Sequence, residues 1–421
     1  MDVTSLKGKK IAVAVSGGVD SMVMLDMLLK QGISPAVINF EHGIRGEEST
    51  SDSAFVADRA KELGLDCRVI ALDAPGYAAR NGKGIEEAAR ELRYREFDRI
   101  LAAGEADLIA LAHHADDNAE TVLMRIFRGT GIKGLCGITD RPGYIHPLID
   151  MTRSEIEEYA LKNGIEYRTD STNADDAYTR NFIRLRLIPA IKERFPGFER
   201  RVARLSEAAK EVEDLTDSLK TAPLHVKGGL LLPNEAFLQH IAVVKKSIGD
   251  TVKQLGITRD MEAANFRDVI KLYDGEVGKK LSLPFGIEAR READGVSIMR
   301  PILEKASEMP FEIAGKYDFF GTVYEFSAIK GIEKGCFDAA KIPCGAVVRL
   351  PKKGDRFRRY KGKDKALGDY YTDVKYPTRL REMTPVLAAG DRVLLIMGGE
   401  VSDELKVDQN SEHIYVCKVG V

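Results

Sequence analysis

Residues 9 to 28 read Lys-Lys-Ile-Ala-Val-Ala-Val-Ser-Gly-Gly-Val-Asp-Ser-Met-Val-Met-Leu-Asp-Met-Leu, and the fold follows from them. Ile11 to Val15 is an apolar run with the length and β-branched content of a buried parallel strand. It breaks at Ser16-Gly17-Gly18, and from Ser21 onward Met22, Leu25, Met27, Leu28 and Leu29 recur at roughly helical spacing. The chain therefore runs strand, glycine turn, helix. Two adjacent glycines let the backbone turn tightly and bring several N–H groups close to an anion. The helix behind them adds its unpaired N–H groups and the positive end of its dipole. Ser16 and Ser21 can donate hydroxyls to the same phosphate oxygens, and Asp20 is placed to hold a bridging Mg²⁺. The whole loop, Ser16-Gly17-Gly18-Val19-Asp20-Ser21, is thus a phosphate-site candidate, the plain alternative being a strand-to-helix turn with a serine cap. No Lys follows the glycines and no G-x-G-x-x-G occurs there, which excludes a Walker loop and a dinucleotide fingerprint.

The chain around this loop is long enough, at 421 residues, for two or three domains. Its 63 Lys+Arg balance 65 Asp+Glu, so any nucleic-acid surface must come from local asymmetry. Five scattered cysteines without a C-x-x-C fit free thiols in a reducing cytosol and exclude a zinc ribbon or Fe–S cradle. No run approaches a membrane span, and the first residues lack the apolar core of a signal peptide. A cytoplasmic protein is expected.

Further along, Ala36 to Phe40 and Cys67 to Ala71 read as strands and Ser49 to Gly64 as a helix between them. This alternation predicts an α/β doubly wound parallel sheet, with ligands beyond the carboxyl ends of the strands. Phe40 to Arg45, His42 included, would then lie near an adenine, or form an ordinary loop. A long helix is predicted from Gly84 to Gly104, with Arg90 and Arg93 on one face. Asp107 to Ala112 is the next buried strand, followed directly by His113-His-Ala-Asp-Asp-Asn-Ala-Glu120 and on to Gly131. Asp117 and Glu120 share one face of the helix after it, and Arg125 and Arg128 follow. A helix cap at Asp116 or Asp117 with surface charges behind it is the competing reading. Adjacent strand residues point to opposite faces, so a single histidine, His113 or His114, is expected in the site. Thr152 and Glu155 form a capping box for another helix.

Two segments are strongly basic. Arg180 to Lys210 holds nine Lys/Arg against three Asp/Glu, and Arg349 to Arg381 twelve against four. In the second, Phe357, Tyr360, Tyr370 and Tyr371 interleave with the cations, a mixture of phosphate neutralisers and stacking surfaces suited to RNA; a basic surface over core aromatics is the alternative. Composition shifts suggest domains at 1–215, 216–340 and 345–421: a nucleotide-binding domain, a mostly helical middle domain and a small β-rich one.

Ser16 to Ser21 resembles the pyrophosphatase loop (PP-loop) of the N-type ATP pyrophosphatases, which cleave ATP to AMP and pyrophosphate. Together with His113 to Gly131, Asp170-x-x-Asn173 followed by Tyr178-x-Arg-Asn-x-x-Arg184, and Gly354-Asp-Arg-Phe357, it resembles the bacterial tRNA(Ile)-lysidine synthetases over nearly the whole chain. The resemblance implies a ligase that adenylates C2 of the wobble cytidine in a CAU-anticodon tRNA(Ile) and displaces AMP with L-lysine. ATP and Mg²⁺ would bind at Ser16, Gly17, Gly18, Val19, Asp20 and Ser21, with Asp20 holding the metal. Arg93 and His113 would stabilise the transferring phosphoryl group, and Glu120 would coordinate metal or take a proton from lysine. Asp117 and Arg180 or Arg184 would recognise the two ends of lysine. Arg128, Arg186, Arg356, Arg358, Arg359 and Lys361 would grip tRNA. Asn118, where many relatives carry Gln, and the stretch Tyr360 to Lys365 depart from the family wording. Rival readings are a thiolating tRNA enzyme, which needs absent C-x-x-C pairs, an ammonia-using synthetase, and a non-catalytic RNA binder. The oligomeric state stays open, a dimer included.

Overall fold

Strand β1 (Ile11–Ala14) enters the glycine turn, and α1 (Val19–Lys30) leaves it. The computed structural model describes residues 6–41, 47–139, 141–168, 179–259, 261–301 and 308–420. His42 and Arg45, and the motif residues Asp170, Asn173 and Tyr178, lie outside these residues. The chain divides into two compact units, Met1–Leu215 and Thr216–Val421.

In the first unit β2 (Ala36–Glu41), α2 (Glu47–Glu62), β3 (Cys67–Ala71), α3 (Ala74–Asn81), α4 (Ile85–Ala102), β4 (Leu108–Ala110), α5 (Ala115–Phe127), α6 (Ile132–Leu135) and β5 (Tyr144–Ile145) follow β1 and α1. The five strands form one parallel sheet in the order β3-β2-β1-β4-β5. Strand order reverses between β1 and β4, so a crevice opens at their carboxyl ends. The glycine loop leaves β1 there, and His113 leaves β4. Both sheet faces are covered: Val13, Val15, Met24 and Leu28 pack with Leu148 and Ile156 on one side, and Ile38, Phe97, Ile100 and Ile109 on the other. The expected doubly wound sheet is present.

Beyond β5, Thr152 caps α7 (Arg153–Lys162): its hydroxyl accepts from the Glu155 N–H at 3.3 Å, and Glu155 accepts in return from the Thr152 N–H at 2.8 Å. Next come α8 (Thr179–Phe182), a π-helical turn over Ile183–Leu187, α9 (Ile188–Arg194) and α10 (Phe198–Leu219). Ile183, Ile188 and Val202 bury against Ala119 and Val122 of α5, which fixes this basic arm onto the site helix. Asn118 belongs to that anchorage: its amide donates to Ser206 Oγ at 3.3 Å, and its carbonyl accepts the Ile138 N–H at 2.7 Å.

The second unit begins with β6 (Leu224–Val226), β7 (Gly229–Pro233), α11 (Asn234–Phe237), α12 (Ile241–Gln254), α13 (Ala263–Tyr273), β8 (Lys280–Leu283), β9 (Ile287–Glu292) and β10 (Gly295–Met299). The strands form an antiparallel sheet, β6-β7-β10-β9-β8, and the apolar faces of α12 and α13 cover Leu232, Ala289, Val296 and Ile298. The rest is β11 (Met309–Pro310), β12 (Lys316–Phe319), β13 (Thr322–Ala328), β14 (Cys336–Asp338), β15 (Val347–Arg349), β16 (Arg356–Arg358), β17 (Asp364–Ala366), α14 (Leu367–Asp373), α15 (Thr378–Arg381), β18 (Val386–Ala389), β19 (Arg392–Ile396) and β20 (Ile414–Gly420). They build a six-stranded and a four-stranded sheet that share one aromatic-rich core. β11 pairs with β15, and β13 and β14 with β20, so hydrogen-bonded ladders run across the break expected at residues 340–345. The composition shift marks a change of residue usage there, while the backbone hydrogen bonds tie both sides into one body.

The expectation for the aromatics changes here. Phe357, Tyr370 and Tyr371 are core residues, packed against Val386, Val393 and Ile396, so they are not stacking platforms for RNA. Tyr360 is the exposed aromatic of that group. The reason is register: Phe357 is the inward residue of β16 between outward Arg356 and Arg358, and α14 turns Leu367, Tyr370 and Tyr371 onto it. Gly354-Asp-Arg-Phe357 is likewise built for folding: Asp355 is buried in a two-pronged pair with Arg349, both contacts 2.8 Å.

Candidate active site

The loop draws its polar groups together at the start of α1. Ser21 Oγ donates to the Gly18 carbonyl at 2.9 Å, accepts from the Ser16 N–H at 3.2 Å and lies 3.3 Å from Ser16 Oγ, so both hydroxyls are gathered at the helix start. Gly17 has φ 88°, in the left-handed region, and a Cβ there would stand 3.3 Å from Val56 Cγ2. Buried Asn39 braces the loop from β2, donating to the Val15 carbonyl at 2.8 Å. A cavity runs from Ser16, Asp20 and Ser21 to Ile38, Phe40 and Phe97, walled by Arg90, Arg93, Tyr94 and His113. Its lining combines hydroxyls and cations with apolar and aromatic surface.

Arg93 Nε and His113 Nδ1, on residues that line this cavity, are buried without hydrogen-bond partners. Burial, with Arg90 nearby, pulls the Arg93 pKa below its ordinary value. Burial pushes His113 down to about 3, so its ring is neutral near pH 7. His113 also lines a second cavity beside the first, with Thr121, Arg125, Arg141, Tyr144, His146 and Arg180.

Both histidines reach the site, contrary to the expectation of one. His114 lies past the end of β4, where strand alternation no longer governs direction; its Nε2 sits 3.8 Å from Asp20 and 3.4 Å from Asp117. Burial raises the Asp20 carboxyl above its usual range and Asp117 adds to this, with His114 and Arg153 offsetting only part. Burial works the same way on Asp117, but His114, Arg180 and Arg184 outweigh it and hold that carboxyl low.

Behind them lies a four-membered charge cluster. Glu120, 1 % exposed, accepts from Arg180 Nε at 2.9 Å and from Arg184 Nε at 2.5 Å. Asp117 Oδ1 accepts from Arg180 at 3.3 Å and Arg184 at 3.0 Å. The arm from α8 through the π turn thus brings both arginines to one face of α5.

Asp20 suits a Mg²⁺: it is a carboxylate at the helix start, made costly by burial and by a second carboxylate. Glu120 does not: it is buried and the guanidinium groups of both Arg180 and Arg184 engage its oxygens, whereas Asp20 is partly exposed and pairs with one guanidinium. Among the described residues no three His, Cys, Asp or Glu are grouped to hold a metal alone. A Mg²⁺ at Asp20 would draw its other ligands from phosphate and water, as that ion commonly does.

Of the other expected residues, Arg128 and Arg186 are exposed at the end of α5 and on the π turn. Arg356, Arg358 and Arg359 are exposed and face Asp364 at 2.6 Å, Asp403 at 3.7 Å and Glu400 at 3.2 Å. Lys361 and Lys406 flank the Tyr360 ring. Part of the first basic segment serves structure: Lys192 pairs with Asp116 at 2.7 Å and with Glu199, and Arg200 with Glu155. Sequence reasoning overlooked Arg153, which bonds Asp20; only its place at the start of a capped helix marked it.

A parallel sheet with a Ser-Gly-Gly-Val-Asp-Ser turn at its switch point defines a PP-loop nucleotide-binding protein, and residues 2–191 match the family model described as PP-loop domain. Residues 346–417 match the one described as TilS substrate C-terminal domain. The chain is 30 % identical to a tRNA(Ile)-lysidine synthase of Clostridium tetani, over 98 % of this chain and 95 % of that protein. It is 32 % identical to that of Caldanaerobacter subterraneus subsp. tengcongensis (98 % and 94 % covered) and 32 % identical to that of Bacteroides thetaiotaomicron (98 % and 96 %). The chain belongs to the tRNA(Ile)-lysidine synthase family.

Proposed function

We propose that the protein is an ATP-dependent tRNA(Ile)-lysidine synthase that joins L-lysine to C2 of the wobble cytidine of a CAU-anticodon tRNA(Ile), releasing AMP and pyrophosphate. The observation that carries this reading is the convergence, at one switch point, of a phosphate-binding loop with the cluster of Asp117, Glu120, Arg180 and Arg184.

In this reading the cytidine C2 oxygen attacks the α-phosphorus of ATP and pyrophosphate departs. The lysine ε-nitrogen, once deprotonated, then attacks C2, and AMP leaves with the former base oxygen. The loop N–H groups, Ser16 and Ser21 hold the departing pyrophosphate, and the unpartnered nitrogens of Arg93 and His113 support a role for them on the transferring phosphoryl group. Mg²⁺, held by Asp20 when bound, supplies neutralisation of phosphate charge. Ionised Asp117 suits the lysine ammonium, while Arg180 and Arg184 suit its carboxylate. Lysine would enter by exchanging with the pairs seen now. Glu120, with both oxygens engaged, reads as the anchor of those arginines in preference to a metal ligand or a base.

The exposed cations Arg128 and Arg186, and Arg356, Arg358, Arg359 and Lys361, support contact with the tRNA backbone. Exposed ion pairs are worth roughly 0–1 kcal/mol each, so phosphates can displace their partners at little cost. A cytoplasmic location is supported by five free cysteines and agrees with the lack, among the described residues, of any helix long and apolar enough to cross a membrane.

Incorporation of labelled lysine into an unmodified CAU-anticodon tRNA(Ile) transcript, with ATP and Mg²⁺ and a tRNA(Met) control, tests the proposal. Label on the isoleucine transcript alone, with AMP formed, is the expected result. AMP formation without transfer would overturn the assignment of lysine and tRNA(Ile), and no AMP would overturn the enzyme reading as a whole.

A further inference from the structure

Arg153, the first residue of α7, spans the mouth of the glycine loop. Its Nη1 donates to both oxygens of Asp20, at 2.9 and 2.7 Å, and its Nε donates to Glu157 at 2.7 Å. Its backbone N–H is fixed by Asp116 Oδ2 at 2.8 Å. Guanidinium and carboxylate are 43 % and 28 % exposed, so solvent and ligands reach the pair. Asp20 and Asp117 also converge on His114, and two carboxylates in one cleft need a cation near them. Arg180 and Arg184 serve Asp117; Arg153 is the cation on Asp20, and it engages the carboxylate assigned above to the metal.

We propose that Arg153 is a positioning residue that holds Asp20 as a resident counter-ion and, when the metal–nucleotide complex arrives, yields Asp20 to the metal and turns its guanidinium to the β- and γ-phosphates. The exchange keeps charge balanced at each stage: one carboxylate with one guanidinium before, then a carboxylate with a divalent cation and a guanidinium with phosphate after. A planar guanidinium suits both partners, since carboxylate and phosphate present the same pair of acceptor oxygens. Glu157 tethers Nε from outside the loop and leaves Nη1 to make the trade. This inference rests on the ATP-site reading.

Binding measurements on the full chain test it without turnover. Titration of Mn²⁺ into nucleotide-free protein, followed by electron paramagnetic resonance of the free ion, compares wild type with Arg153→Gln. Removing the competing cation should tighten Mn²⁺ about tenfold and weaken Mn²⁺·ATP about tenfold, the size of one charge-assisted hydrogen bond. Arg153→Lys should fall between. A residue that only capped α7 would lower both affinities together, and that result, or no change in either, overturns the proposal. A reciprocal arm uses inorganic pyrophosphate in EDTA: Asp20→Asn frees Arg153 and should bind it more tightly than wild type, and adding Arg153→Gln should abolish the gain. An equal gain in the Arg153→Gln background overturns the exchange, and covers the case in which the single Arg153→Gln protein does not fold. Failure of wild type to bind ATP with Mn²⁺ would instead count against the nucleotide site itself.

Discussion

His113 shows what burial does to one side chain at the mouth of β4. Its folded-state value of about 3 lies below the roughly 6.5 of an exposed imidazole, so between these values the unfolded chain takes up a proton that the native chain refuses. Stability is fully present above pH 6.5 and falls as pH drops through that window. The thermal midpoint should therefore decline from pH 6.5 to 4.5, and His113→Asn should flatten the decline; an unchanged slope in the variant would show that the ring is protonated in the native state. The residue type was legible in the sequence at once. Its environment was not, because it is built by segments far apart in the chain, the His146 ring 5.0 Å away and Asp117, Arg90 and Arg180 near it.

At the scale of elements, the joint between α5 and the arm from α8 to α9 holds the charge cluster proposed above for lysine. Glu120 stands at its centre, while Arg180 and Arg184 are each over a third exposed. Glu120→Ala should cost about 2 kcal/mol, less than for a fully buried pair because water can rehydrate both guanidinium groups. Urea denaturation would show this as a lower midpoint at unchanged slope. A loss below about 0.5 kcal/mol would mean that the arm is held by Ile183, Ile188 and Val202 alone. Helical spacing already placed Asp117 and Glu120 on one face. Their partners lie some sixty residues on, across a segment whose approach no local pattern specifies.

Along the whole chain charge is nearly balanced, and basic residues are concentrated in two segments. If the patch around Arg356, Arg358, Arg359 and Lys361 meets RNA phosphates, tRNA affinity will fall steeply with salt. Arg359→Ala should then weaken binding and reduce the log–log salt slope by about 1, the signature of one lost phosphate contact. Weaker binding at an unchanged slope would assign Arg359 a structural part. The aromatics beneath that patch carry the opposite lesson. Phe357, Tyr370 and Tyr371 sit among cations in sequence but are core in space, because β16 alternates and α14 folds over it. Interleaving along a chain does not establish adjacency on a surface.

The sequence by itself determined the local order of things: strand, glycine turn and helix at residues 11–30, the parallel α/β alternation, the cap at Thr152, the family, and the residue types of a phosphate site. Each depends on neighbours a few positions apart, where backbone conformation and side-chain periodicity leave little choice. Only the tertiary structure decided that both His113 and His114 enter the site, that guanidinium groups occupy Glu120, that Asp20 already carries a counter-ion in Arg153, and that strands on either side of residue 340 share one body. These are long-range pairings of charge and backbone. Their energies depend on burial and on distances between segments far apart in the chain, which exist only once the sheet and its covering helices have closed.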